Sequence, residues 1–177
     1  QQNDFDEKGK TDNPFDGGVG YGTPKPGVPA HADLSNTHFA LEALHHAQAL
    51  LADKGDAGKN EPQLNFSAAI KFIENCQNRP ETNKAGWVSD DPKDRGGFIY
   101  SPGETRGGET KTADGRTALR SYGSISYAGL LSFIYAGLDK NDPRVKAVLD
   151  WLSENYTLDE NPGLGAEGLF YYYHTMA

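Results

Sequence analysis

The 177-residue chain has a single cysteine, Cys76, so no internal disulfide can form. A lone cysteine on an apolar helical face is read as a core residue. Lysine and arginine are outnumbered 17 to 25 by aspartate and glutamate, and no basic cluster is dense enough to track phosphates. Nucleic acid is therefore excluded as an expected partner. The longest apolar-looking run, Tyr127 to Leu138, is too short for a bilayer and is broken by Ser and Gly. No transmembrane segment is expected. There is no signal peptide, and the chain opens on Gln1 without a Met. The expectation is that an upstream segment has been removed, with export as one route, or lies outside the given sequence, and the compartment stays open.

What the chain does have is glycine (21) and proline (10), set between periodic apolar blocks. Residues 1–32 read as loop. Asp33 or Ser35 can cap a helix in which Phe39, Leu41, Leu44, Ala47, Leu50 and Leu51 recur at helical spacing. Pro62 suits the first turn of a second helix with Ala69, Ile70, Phe72, Ile73 and Cys76 on its apolar face. A long connection, 80–119, follows. A third helix from about Leu119 to Leu138 is rich in Gly, Ser and Ala, which lets neighbours approach closely. Asp142-Pro143 opens a fourth, with Val145, Val148, Leu149 and Leu152 as its buried stripe and Lys146, Asp150 and Glu154 facing out. Tyr171 onward begins a fifth. No strand alternation competes, so the expected fold class is all-α.

Self-similarity organises these elements. Gly17-Gly18-Val19-Gly20-Tyr21 matches Gly96-Gly97-Phe98-Ile99-Tyr100, 79 residues on, and Glu167-Gly168-Leu169-Phe170-Tyr171 follows after 71 more. Ile70-Lys71-Phe72-Ile73 matches Leu149-Asp150-Trp151-Leu152, and Phe39-Ala40 pairs with Tyr127-Ala128. The expected organisation is one partial domain over 1–177. Its first repeat covers about 17–95, its second about 96–166, and a third begins at 167–177.

These units resemble the repeats of the prenyltransferase and squalene-cyclase superfamily, and most closely the bacterial prenyltransferase/squalene-oxidase-repeat proteins. The segments that carry the resemblance are Asp33-Leu34-Ser35-Asn36-Thr37, Gly97-Phe98-Ile99-Tyr100-Ser101-Pro102, Ser121-Tyr122-Gly123-Ser124 with Tyr127-Ala128-Gly129-Leu130-Leu131, Asn161-Pro162-Gly163 and Tyr171-Tyr172-Tyr173-His174-Thr175. The resemblance implies an α/α toroid, with inner helices ringing a cavity and outer helices wrapping them. About two and a half helix pairs are present. The implied partners are the remaining toroid repeats or another chain, together with an apolar or peptide ligand.

The chemistry of that family is only partly represented. A cyclase protonates its substrate with a crowded Asp cluster. Here the nearest run is Ser89-Asp90-Asp91-Pro92-Lys93-Asp94, which makes Asp90 and Asp91 the candidate acids. Protein prenyltransferases hold zinc with Asp-x-Cys and a later His. His174 matches that His, but Arg120-Ser121-Tyr122 stands where Asp-x-Cys belongs. No metal and no cofactor are expected. His31, His38 and His45 recur every seven residues and read as surface or hydrogen-bonded histidines. Asp4-x-Asp6 with Gly9 is not a calcium loop, because Lys8 and Phe15 occupy ligand positions. Gly18-x-Gly20-x-Gly22 follows no strand and is not a dinucleotide fingerprint.

Aromatic residues remain. Tyr100, Tyr122, Tyr127, Tyr172, Tyr173 and His174 are the candidates to line a ligand cavity, with Trp87 and Phe98 nearby. The expected function is a ligand-binding or scaffold role without a complete catalytic motif. The alternative is a terpenoid cyclase or prenyl-transfer enzyme whose catalytic residues lie in missing repeats. The observation that separates the two is whether a carboxylate faces an apolar cavity.

Overall fold

A computed structural model describes residues 2–3, 13–22, 31–52 and 64–177, with backbone alone for 48–52. Among the described residues there are five helices: α1 (Leu34–Ala52), α2 (Phe66–Cys76), α3 (Gly123–Tyr135), α4 (Pro143–Glu154) and α5 (Leu169–Met176). Three of them, α1, α2 and α4, start for a local reason. The Asp33 carboxylate accepts the Asn36 N–H at 2.9 Å at the head of α1. Asn65 accepts from Ala68 N and so opens α2; the expected start at Pro62 lies outside the described residues. Asp142 accepts from Arg144 N, with Pro143 in the first turn of α4. Tyr122 caps nothing with its own side chain. Instead Asn161, distant in sequence, accepts the Ser124 N–H at 2.9 Å, so α3 is capped by the loop that leads into α5.

Helix α3 is central. It packs between α1 and α5, while α2 and α4 back it. The core joins these layers through Leu41, Phe72, Ile73, Cys76, Phe98, Ile125, Phe133 and Val148. Cys76 is buried, and burial followed by the nearby Asp33 charge pushes its thiol well up. The small residues of α3 have defined uses. Ser126 and Ser132 donate to carbonyls one turn back (Tyr122 O, 2.8 Å; Ala128 O, 2.7 Å), so their hydroxyls are satisfied inside the core. Gly129 leaves room for the Phe98 ring, whose atoms would stand 2.7 Å from a Cβ there.

The all-α expectation is overturned by a two-stranded antiparallel sheet, β1 (Glu109–Lys111) with β2 (Thr117–Leu119), pairing Glu109 with Leu119 and Lys111 with Thr117. The chain has mixed helix and strand character and is not a pure all-α toroid. Its strands are too short to show an alternation. The legible signal was the Asp114-Gly115 turn between Thr-rich arms. The hairpin also explains why α3 starts at Gly123 and not near Leu119: Thr117–Leu119 is in β2. Leu119 N–H is tied to Trp87 O at 2.8 Å, and Arg120 N–H to Gly108 O at 2.9 Å.

The two Gly-Gly loops have the same surroundings. A Cβ on Gly17 would stand 2.0 Å from Ala68 O, and one on Gly96 2.2 Å from Ala147 O. Next in line, Gly18 abuts the Phe72 ring and Gly97 the Trp151 ring. Each loop is then latched by a hydroxyl: Val19 N–H to Thr37 Oγ1 at 2.9 Å, Phe98 N–H to Ser126 Oγ at 3.0 Å. That latch matches Thr37 with Ser126 and therefore His38 with Tyr127. The pairing of Phe39-Ala40 with Tyr127-Ala128 is one residue out of register, because the hydroxyl and not the aromatic ring sets the phase. The third segment differs from the other two. Leu169, Phe170 and Tyr171 already lie in α5, and Gly168 stands at its N-cap.

Candidate functional site

The candidate acids lie at a turn that Asp91 alone holds. Asp90 is exposed, and Asp91 accepts the Lys93 N–H at 3.0 Å while its carbonyl receives Asp94 and Arg95 N–H. The buried carboxyl of this run is Asp94, 3% exposed. It accepts from Ser89 Oγ at 2.8 Å and Ser121 N at 3.1 Å, with Arg120 at 3.7 Å. Burial raises its pKa, and the two hydrogen bonds and the guanidinium oppose that. Its partners tie the second Gly-Gly loop to the chain entering α3, which is a structural knot. Among the described residues no group of three or more His, Cys, Asp or Glu side chains is set to hold a metal.

The candidate aromatics divide. Tyr127 meets Tyr172 edge-on at 5.7 Å. The Tyr172 hydroxyl donates to Thr157 O at 2.8 Å and that of Tyr173 to Leu158 O at 2.7 Å. These three staple α5 to α3 and to the loop after α4. Tyr122 is buried at the α3 N-cap, and burial pushes its hydroxyl up. Tyr100 lies beneath the Arg106 guanidinium at 5.6 Å; burial, then the Asp33 charge, push its hydroxyl up to about 12. Trp87 stands behind the hairpin with its Nε1 buried and unpartnered among the described residues.

His174 belongs to another cluster. Its ring stacks with Phe39 at 5.9 Å, and Phe39 also meets Tyr171 at 6.1 Å and His38 at 5.1 Å. Tyr135 from α3 lies 6.1 Å from His38 and 5.1 Å from His45. The Glu42 carboxylate is an electrostatic neighbour of His38, Tyr135 and Tyr171. Three helices thus contribute to one face, where Phe39 is 45% exposed although its spacing placed it in the core stripe. His38 reverses its expectation too. It is 1% exposed, and neither ring nitrogen has a hydrogen-bond partner among the described residues. The Tyr171 hydroxyl is likewise buried and unpartnered. Burial pushes it up, with Asp33, Tyr100 and Glu42 adding to the shift.

His38 carries a pH consequence. Burial lowers its pKa, Glu42 opposes that and His174 adds to it. As pH falls through the ordinary value of 6.5, the unfolded chain takes up the proton before the folded one does. Stability is present above that value and declines as pH drops toward the folded pKa, with a slope of at most about 1.4 kcal/mol per pH unit from this residue. Urea midpoints of His38→Leu between pH 7.5 and 5.5 are expected to fall less steeply than those of the natural chain. Equal slopes would remove His38 as the source.

Comparison with protein-family models, curated proteins and solved structures finds no match to this chain.

Proposed function

We propose that the chain binds an apolar ligand on the face shared by α1, α3 and α5. It would do so as a helix-repeat protein akin to the prenyltransferase and squalene-cyclase repeats, without a complete catalytic motif of that family. The observation that carries the reading is Phe39: a large apolar ring left 45% exposed while touching Tyr171, His174 and His38. Rings from two helices that meet at such a surface offer faces and edges to a hydrocarbon, and covering them removes apolar area from water.

The cyclase and prenyl-transfer alternatives have less support. Asp90 is exposed, Asp91 serves the turn, and Asp94 is engaged by Ser89 and Ser121. The segment Arg120–Tyr122 supplies neither ligand of an Asp-x-Cys pair.

The test is saturable binding of a neutral apolar dye, N-phenyl-1-naphthylamine, to the full chain. Phe39→Ala is expected to weaken it about five- to tenfold, since covering the exposed part of one aromatic ring contributes roughly 1 kcal/mol. Phe170→Ala, a control at a ring 92% exposed and outside the cluster, should leave binding unchanged. Dye binding that ignores Phe39→Ala would place the ligand elsewhere.

A further inference from the structure

We infer that the ligand of this face carries a positively charged head, an ammonium on an apolar chain, held by the Glu42 carboxylate beside the rings of Phe39 and Tyr135. The inference rests on the apolar-ligand reading and adds the charge of the head. Helix spacing places Glu42 among the rings. It stands three residues after Phe39 and four after His38, hence on their side of α1. From α3, Tyr135 lies 6.1 Å from His38, 5.1 Å from His45 and 6.0 Å from His46. Those positions are one turn before Glu42 and one turn after it, so the Tyr135 ring spans the stretch of helix surface from which Glu42 projects. From α5, Tyr171 closes on Phe39 at 6.1 Å.

The sign of the head follows from the charges that reach this face. Burial, then the Glu42 charge, push the Tyr135 hydroxyl up; for Tyr171 burial is followed by Asp33, Tyr100 and Glu42. No Lys or Arg acts on either. Asp33 is fully buried and already engaged, taking the Ser35 hydroxyl and the Asn36 N–H at the head of α1. Glu42 is half-buried at the exposed rings, and among the described residues it forms no ion pair with a Lys, Arg or His side chain. The faces of the Phe39 and Tyr135 rings carry partial negative charge and attract a cation as the carboxylate does. A carboxylate head would meet the same groups with the wrong sign, and a neutral head would gain from neither. A metal ion is not the complement, since no group of three His, Cys, Asp or Glu is set to hold one among the described residues.

The experiment displaces N-phenyl-1-naphthylamine from the full chain, in low salt, with octylammonium, 1-octanol and octanoate, which share one chain length. Octylammonium is expected to displace the dye at a concentration about tenfold lower than octanol, the product of one ion pair and one cation–π contact worth roughly threefold each. Octanoate should be the weakest. Glu42→Gln keeps the shape of the side chain and should erase the preference, while dye and octanol affinities stay within about twofold. A residue that served stability alone would move all three displacers together. Raising the salt about tenfold should shrink the preference in the natural chain, which tests the charge without any substitution. Equal displacement by octylammonium and octanol, a preference for octanoate, or an octylammonium preference that survives Glu42→Gln overturns the inference while the apolar-ligand reading stands. Absence of dye binding removes the underlying reading, and this inference with it.

Discussion

Gly96→Ala is expected to destabilise the fold by about 3 kcal/mol or more, lowering the melting temperature by roughly 6–12 °C for a chain of this length. Two effects act together. Gly96 has φ of 94°, where an L side chain is strained by about 1–2 kcal/mol. Its Cβ would also stand 2.2 Å from Ala147 O, a backbone atom inside α4 that cannot rotate away. Relief requires moving α4, and with it Val148 and Trp151, out of the core. Gly115→Ala separates the two effects. Gly115 also has a positive φ, 83°, but no atom of the described residues lies within 4 Å of its Cβ position. It should cost only about 1 kcal/mol. Thermal melts of the two variants decide the matter, and equal losses would show that the close approach to α4 is not what requires glycine.

Phe98→Ala should cost a further large amount, about 3–5 kcal/mol, because the ring is fully buried and meets Phe133 edge-on at 5.7 Å. Its position also fixes the sign of a second change. In the natural chain Gly129→Ala drives a methyl to 2.7 Å from the Phe98 ring, at the far side of a packed core, and is expected to destabilise by about 1–3 kcal/mol. With Ala at position 98 the obstruction is gone and part of the cavity can be filled. Ala is also preferred to Gly in a helix by about 1 kcal/mol. Gly129→Ala should therefore turn stabilising in the Phe98→Ala background. A denaturant double-mutant cycle reads this directly. If the two changes prove additive, ring and glycine do not form the contact described.

Much of the helical framework was legible, because the relevant forces are local. Asp142-Pro143 and the spacing of Val145, Val148, Leu149 and Leu152 locate α4 without any tertiary information, although Leu149 is 40% exposed and Trp151 is the fourth buried residue. The same reasoning failed where distant residues decide. Helix α3 begins where Asn161 caps it, and no local pattern near Ser124 announces a cap from a loop 37 residues away. The hairpin is held by Trp87 O and Gly108 O, not by a strand-like sequence. Among the candidate site residues, aromaticity alone could not separate Tyr172 and Tyr173, whose hydroxyls reach Thr157 O and Leu158 O, from His174, which stacks on Phe39. His38 was hidden for a related reason. A histidine on a helix is buried or exposed according to which helix arrives beside it, and here α3 brings Tyr135 within 6.1 Å.

The second Gly-Gly loop also reaches beyond its own unit. Tyr100 O accepts the Leu34 N–H at 2.9 Å, at the first turn of α1. Its neighbours Gly97 and Ile99 pair with Asn78 and Cys76 at the end of α2. The first helix of the earlier unit is thus seated by backbone that belongs to the later one. Arrays of independent repeats melt piecemeal from their ends, each unit contributing its own transition. Here the seam is shared, so α1 and the second Gly-Gly loop are expected to lose their order together, in one transition.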